Sequence, residues 1–445
     1  MKLNWFSPLP PAGTDIAQFT LRVLPALRRA LGGGAVTVWT DQDKWDEKQL
    51  AGVDVRRYRS GAVPWMEINK ADLSVFNIGN NAQFHGAIWQ ISRQHPGLII
   101  LHDTHLHHLF YHLYVEQWQD AKEYLRQIAK YYGEAGRRDA ARRMHNVAQE
   151  VYYLSEQYPL TPLALENSLG ALVHSPVAFD LLRRARRWPL AYAPLPFPAA
   201  PLLEAPGSLE RFSSGPPFQL ILFGYIGRNR QLGAILQALA EFEEREQFRL
   251  HIYGELTDQE HWAAQIRELG LRRLVQLRGF VPEAKLDAAL SAAHLAINLR
   301  YPTMGEASGS QLRIWSHALP SLVSETGWLA TLPAAAVAFV RPSNEVADLQ
   351  AHFRDFLSDP QRFQQIGEQG RRVLLEQHAP DVYARALIEC AQMAERFRPQ
   401  LIARQMAERA GTKLASMLKV NTPDMAASKV GCEIRELLIS ANTGD

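Results

Sequence analysis

Two stretches of this 445-residue sequence have the residue types and order needed to hold a phosphorylated ligand. In FGYIGRNRQLG (223–233) an apolar run ends at Gly224, and Gly227 leads into Arg228 and Arg230. Glycines let a backbone approach a ligand, a following helix N-terminus favours an anion, and two guanidiniums suit a diphosphate. The plain alternative is a tight turn with two solvated arginines. In LRYPTMGEASGSQLRIWSHALPSLVSETG (299–327), Pro302 and Gly305 shape a loop, and Glu306 precedes the small triplet Ser308-Gly309-Ser310. A helix starting there would aim the N–H groups of Gly309, Ser310 and Gln311 at an anion. Glu306 would then accept hydrogen bonds from sugar hydroxyls, or else merely favour the helix start through its charge. Neither stretch is a P-loop, because GxxxxGK[ST] is absent, and no GxGxxG follows a strand.

Two other clusters offer metal chemistry. His102, His105, His107, His108 and His112 crowd around Asp103, and His108 and His112 have an i,i+4 spacing. Position 109 is Leu, however, where the helical zinc motif of metalloproteases needs Glu. On a helix these histidines would point in several directions, which favours a mixture of core and surface roles. Asp41-Gln42-Asp43 is a DxD, a pattern that can carry a metal bound to a diphosphate, in the polar stretch TDQDKWDEK. A lone DxD arises often by chance, so a solvated loop is the simpler reading.

The elements that must position these residues follow from periodicity. In the first half, 3–7, 35–39, 73–77, 97–101 and 171–175 read as strands, and TDIAQFTLRVLPALRRAL (14–31) reads as an amphipathic helix. Prolines crowd the stretch from Trp188 to Pro217, which reads as a linker, and strands then recur at 218–224, 248–254, 274–280, 294–299, 320–324 and 337–340. Strand–helix alternation predicts an α/β fold of two doubly wound domains with a ligand crevice between them. The expected limits are 1–195, a linker at 196–217, a second domain at 218–380, a closing helix at 381–400 and a helical tail at 401–445. The tail would be an oligomer contact or a loosely packed appendage.

Composition constrains the partners. With 48 Lys and Arg against 46 Asp and Glu, the net charge of +2 argues against nucleic acid. Two cysteines cannot build a disulfide framework, which fits a cytoplasmic setting. No apolar run is long enough for a membrane span. Arg137, Arg138, Arg142 and Arg143 form one basic cluster, and Arg183, Arg184, Arg186 and Arg187 form another. Each is either a solvated helix face or a site of peripheral contact with an anionic membrane.

Taken together, the spaced motifs resemble a family-4 glycosyltransferase of the GT-B fold over roughly residues 1–395. The likeness rests on the Gly224 strand end with its basic residue, the G-F-V turn at 279–281, the Glu306 loop and the Pro-led PSLVSETG. In the first half it rests on FSPLPPAGTDIAQFT (6–20), FNIGNNAQFH (76–85) and LIILHDTHLHHL (98–109). The resemblance implies retaining transfer of a hexose, glucose from UDP-glucose, to a glycan or lipid-linked acceptor, with no metal or other cofactor. It implies catalytic roles for Glu306 and His102, with Asp103 orienting the histidine ring or a sugar hydroxyl. It implies donor contacts at Gly13, Thr14, Gly224, Arg228, Arg230, Val281, Ser308, Gly309, Ser310, Gln311 and Arg313, and an acceptor side near Asp15, Asn77, Gly79 and Asn80. The sequence departs from the family at three places. Tyr225 stands where an Arg would contact phosphate, Arg313 stands where a second Glu would hold the ribose, and Asp15 replaces an expected glycine. Asp15 would alter the acceptor side, whereas the missing second Glu and Tyr225 support an alternative, a nucleotide-sugar-binding or assembly protein that has lost turnover. A third reading is a hydrolase using the histidines and a metal.

Overall fold

The computed structural model describes residues 1–32, 34–144, 147–185, 187–199, 212 and 215–418. Arg186, Cys432, the EIRELLIS segment, the rest of 419–445 and most of the expected linker lie outside the described residues.

Two parallel sheets organise the chain. The first has seven strands in the order β3-β2-β1-β4-β5-β6-β7, with β1 Leu3–Phe6, β2 Val36–Thr40, β3 Asp54–Arg57, β4 Leu73–Ile78, β5 Leu98–Leu101, β6 Gly170–Val173 and β7 Leu190–Tyr192. The second has six strands in the order β10-β9-β8-β11-β12-β13, with β8 Phe218–Phe223, β9 Phe248–Tyr253, β10 Val275–Gly279, β11 Leu295–Asn298, β12 Ser321–Ser324 and β13 Ala338–Val340. Strands β1, β4, β5 and β6 are buried along their whole lengths. That is why they read as continuous apolar runs rather than alternating ones. Strand order reverses between β1 and β4 in one sheet and between β8 and β11 in the other. A crevice outside the strands' carboxyl ends therefore opens at each reversal.

The flanking helices follow local signals. Helix α1, Asp15–Ala30, is capped by Thr14, whose hydroxyl accepts from the Ile16 N–H at 3.3 Å. It buries Phe19, Val23, Leu24 and Leu27 at helical spacing, each worth about 2 kcal/mol of apolar transfer. Helix α2, Ala82–Gln94, is capped by Asn81. After a short helix α3, His107–Tyr111, a π-turn covers His112–Gln117. Helices α4, Ala121–Arg143, and α5, Val147–Gln157, complete that side. In the second half, α6, Glu283–Ala292, and α7, Gly309–Ser316, flank the crevice.

The last helix, α8, Pro380–Leu418, passes Pro399 without ending, so the expected closing helix and the described part of the tail form one element. It lies on the first sheet. Tyr383, Ala384, Leu387, Ala391 and Ala394 share an apolar cluster with Leu3, Trp5 and Phe19, and the cluster extends to Leu312, Trp315 and Val323 of the other half. Further along, Arg404 Nη2 donates to the Glu166 carbonyl at 3.3 Å. The start of the linker is also tied across the halves, because the Phe197 N–H donates to the His378 carbonyl at 2.9 Å. Cys390 is a buried free thiol.

Candidate active site

The site is built where the loops after β5 and β11 meet. The N–H groups of Thr104 and His105 both donate to the Met304 carbonyl, at 3.1 and 3.0 Å, so two backbone groups of the first half clasp the loop of the second. Gly305 makes this approach feasible. Its φ is +75°, and a Cβ there would overlap Thr104 Oγ1.

Glu306 follows directly and is held on three sides. Arg300 Nη1 pairs with Oε1, and Oε2 accepts from Thr303 Oγ1 at 2.9 Å and the Met304 N–H at 2.7 Å. Burial alone would raise this carboxyl, but the Arg300 charge and these hydrogen bonds hold it below the usual range. Across the crevice, Asp103 accepts from the Asn80 N–H at 2.8 Å. Burial, and then the Glu306 charge, push its carboxyl up to about 7, against the pull of Asn80 and Arg300. The two carboxylates thus respond oppositely to one shared environment.

His102 packs edge-on against Phe19, with ring centroids 4.6 Å apart. Its Nε2 meets Asn77 Oδ1 at 3.0 Å, while Asn77 Nδ2 donates to the Phe6 carbonyl at 3.0 Å. The amide's orientation makes Nε2 the protonated ring nitrogen and leaves Nδ1 as an acceptor. Burial, then His174 and His85 nearby, push this imidazole well below its ordinary range, so it is neutral. Asn77 is fully enclosed, so its amide meets His102 and not the crevice surface where the acceptor side was expected. Gly79 is a packing position, since a Cβ would come within 2.6 Å of Ile16 and 3.2 Å of Asp103 Oδ2.

The arginines divide. Arg228 is exposed in a 3₁₀ turn. Its charge, after burial, is the first influence on Tyr152 of α5, which also feels Tyr225. Arg230 is 2% exposed, with Nη1 on Asn298 Oδ1 and Nη2 on the Phe223 carbonyl, both at 3.0 Å. Its Nε has no partner. Burial, then the Arg300 charge, bring it down to about 9, although Glu306 opposes this. Two guanidiniums therefore face one carboxylate, which leaves surplus positive charge at the β8–β11 crevice.

Ser308 caps α7, its hydroxyl accepting from the Gln311 N–H at 3.2 Å. The Gln311 side chain lies in the core between Asn298 and Ser321. Only the Gly309 and Ser310 N–H groups of the expected anion site are therefore without an acceptor among the described residues. Gly224, at φ +109°, lies beside this helix start, its Cβ position 3.8 Å from Ser310 Oγ. Gly13 has open space around its Cβ position and Thr14 serves as the α1 cap. Val281 is half-buried beside the exposed Phe280. Arg313 turns to α6, pairing with Asp287 at 2.7 Å and Glu283 at 2.5 Å. Arg300 was not anticipated. Its signal is a charged residue two positions past a buried parallel strand.

The histidines do not share a partner, and the buried His105 Nδ1 has none among the described residues. His107 bonds the Tyr158 carbonyl and Tyr124 hydroxyl, His108 bonds Asn80, and His112 pairs with Glu116. Among the described residues no three His, Cys, Asp or Glu side chains converge as a metal-ligand set. In the basic clusters, Arg137, Arg143 and Arg183 pair with Glu134, Asp139 and Asp180. No helix among the described residues is long and apolar enough to cross a membrane.

Residues 210–373 match the family described as Glycosyl transferases group 1. No curated protein matches the chain. Among solved structures, the chain is similar to HepE (Alr3699) of Anabaena in complex with UDP, at 14% identity and TM-score 0.60, covering 87% of this chain and 99% of that one. It is also similar to sucrose-phosphate synthase from Thermosynechococcus elongatus, at 16% identity and TM-score 0.59, covering 87% and 98%. A third is WaaG, a glycosyltransferase involved in lipopolysaccharide biosynthesis, at 15% identity and TM-score 0.55, covering 88% and 99%. At these identities the likeness is one of fold. The architecture is GT-B.

Proposed function

We propose that this chain is a retaining hexosyltransferase, moving glucose from UDP-glucose to a glycan or lipid-linked acceptor. The observation that carries the reading is the surplus positive charge around Arg230 and Arg300, at a strand-order reversal inside the family-matched segment. A buried guanidinium lacking a carboxylate bond is costly, and an anionic ligand offsets that cost. The donor diphosphate would lie between Arg228 and the free N–H groups of Gly309 and Ser310. Glu306 would accept from the sugar's hydroxyls, and neutral His102 would accept one at Nδ1 from the opposite wall. Glu306 is held ionised by Arg300 and two further hydrogen-bonding groups, which suits it to binding rather than to nucleophilic attack. We therefore place sugar departure on the front face, stabilised by the phosphate clamp and without a metal. The ligands bound in structures of HepE, UDP and UDP-glucose, support the donor choice.

An acceptor presented at an anionic membrane belongs to this proposal, with Arg138 and Arg142 as the contact. So does self-association through the tail, where Ile402 and Met406 are exposed. One observation favours a second reading, binding without turnover: Asp15 places a carboxylate beside Gly309, where the diphosphate would go. Calorimetry with UDP and GDP, followed by assay of UDP release from UDP-sugars, separates the two. Release abolished by Glu306→Ala supports transfer. UDP binding without release supports the second reading, and no binding of any nucleotide overturns both.

A further inference from the structure

The Asp-Gln-Asp motif after β2 is not used by the donor site, and its three side chains go to different places. Gln42 is structural: its Oε1 accepts from the Leu9 N–H at 2.7 Å and its Nε2 donates to the Leu9 carbonyl at 2.9 Å. Asp43 pairs with Arg57. Asp41 instead lines a cavity of about 510 Å3, together with Gln83, Gln90, His112 and Gln117. We infer that this cavity is the subsite for a neutral sugar unit of the acceptor, an inference that rests on the transferase reading above.

The lining chemistry carries the argument. Among the described residues, the carboxamides of Gln83, Gln90 and Gln117 have no protein partner, so three groups that each donate and accept are available in one place. Asp41 adds a carboxylate acceptor whose oxygens meet no side-chain donor. His112 uses Nδ1 on Glu116, at 2.6 Å, and keeps Nε2 for a ligand. Sugar hydroxyls both donate and accept, and such a set matches them. No Lys or Arg lines the cavity, so a phosphate or uronate group finds no counter-charge there. Its volume lies within the roughly 300–1,000 Å3 range of pockets that take small organic ligands.

Its position suits an acceptor. Asp41 follows β2 and Gln83 opens α2, so the cavity lies at the same strand ends as His102 and Asp103. The connecting loop, 79–81, joins the two places. Asn80 donates its N–H to Asp103 at 2.8 Å and accepts from the Leu109 N–H at 3.2 Å, and α2 runs from there along the cavity.

The test uses the full chain and saturation-transfer NMR with methyl glucoside, methyl galactoside and maltose as probes, while calorimetry follows UDP in parallel. At least one neutral sugar should bind. Asp41→Asn, which preserves volume, should weaken it roughly tenfold, the size of one charge-assisted hydrogen bond. Ala87→Phe, which fills the cavity, should abolish it, with UDP affinity and melting temperature unchanged for both variants. Binding of none of the sugars, equal binding by wild type and both variants, or preference for glucose 6-phosphate would overturn the proposal. Loss of sugar binding in the variants of a protein that ignores UDP would uphold the cavity as a sugar site and sink the transferase reading.

Discussion

The Asp15 carboxylate lies against the first residue of α7: a Cβ built on Gly309 would stand 2.5 Å from Asp15 Oδ2. Asp15 opens α1 in one half and Gly309 opens α7 in the other, so a negative charge bridges the crevice to a helix start that favours anions. Arg22 holds the carboxylate at 3.1 Å. A diphosphate at the same helix start would meet a like charge. Asp15→Gly should therefore bind UDP more tightly. The carboxylate is half-exposed, so solvent screens the effect and the gain should be roughly threefold to tenfold. Calorimetry at low and high salt checks it, because the gain should shrink as salt screens the charge. Unchanged affinity at low salt would show that the diphosphate lies elsewhere.

Arg300 and Glu306 form the second relationship that can be tested by subtraction. Their side chains are 21% and 13% exposed, and Arg300 is the principal charge that keeps the Glu306 carboxyl low. Arg300→Met leaves that carboxylate facing only Thr303 and the Met304 N–H. Breaking a buried pair on one side costs about 3 kcal/mol, more than removing both charges. Urea denaturation should show Arg300→Met losing about that much at pH 7, with Arg300→Met/Glu306→Gln regaining most of it. Equal losses in the single and double variants would mean that the pair is not coupled.

Asp103 provides a pH signature of opposite sign. Its folded-state carboxyl is raised, by burial and then by Glu306, to about 7 from an unfolded value of 3.8. Below the unfolded value it is neutral in both states and costs nothing. As pH rises toward 7 the unfolded state loses its proton first, so folding stability falls across that window. Asp103→Asn, which cannot ionise, should be more stable than wild type at pH 8 by a few kcal/mol, with little difference at pH 4. Paired melting curves at the two pH values measure this. An advantage equal at both would remove the titration as its cause.

The chemistry of the sequence exposed some of these relationships and concealed others. All six strands of the second sheet were legible, because each is a short apolar or alternating run bounded by turn residues. Strand β3, DVRR, was not, since it lies mostly exposed at the sheet edge and presents no apolar alternation. Strand β7 was hidden among prolines. Arg230 could be named as a basic residue after a strand, yet nothing local disclosed that Asn298, far along the chain, would take its Nη1. The place of Asp15 beside Gly309 is likewise fixed between the halves, and Glu283 and Asp287 are fixed by Arg313 on the neighbouring helix, contacts which periodicity does not encode. Arg313 shows the consequence. Its position matches the second Glu of the resembled family, but its charge is committed to α6.

Gly305 offers the most direct test that closure assembles the site. The Thr104 and His105 N–H groups reach the Met304 carbonyl only because the next residue carries no side chain and takes φ +75°. An alanine there is strained in the left-handed region by roughly 1–2 kcal/mol, and its Cβ would also overlap Thr104 Oγ1. The clash is with a buried side chain whose carbonyl is already bonded by Thr161, so Thr104 has little freedom to move aside. The loop would have to retreat, taking with it the Met304 N–H that holds Glu306. Gly305→Ala should therefore widen the crevice, detected as an increased radius of gyration by X-ray scattering. It should also reduce UDP release far more than UDP affinity, because α7 and Arg230 stay on the second sheet. The control is Gly270→Ala, also at positive φ (+69°) but with nothing near its Cβ position. It shares the backbone strain without the clash, and should lose stability while keeping the closed dimensions. Equal behaviour of the two variants would mean that Gly305 serves its turn alone, and that closure does not depend on its contact with Thr104.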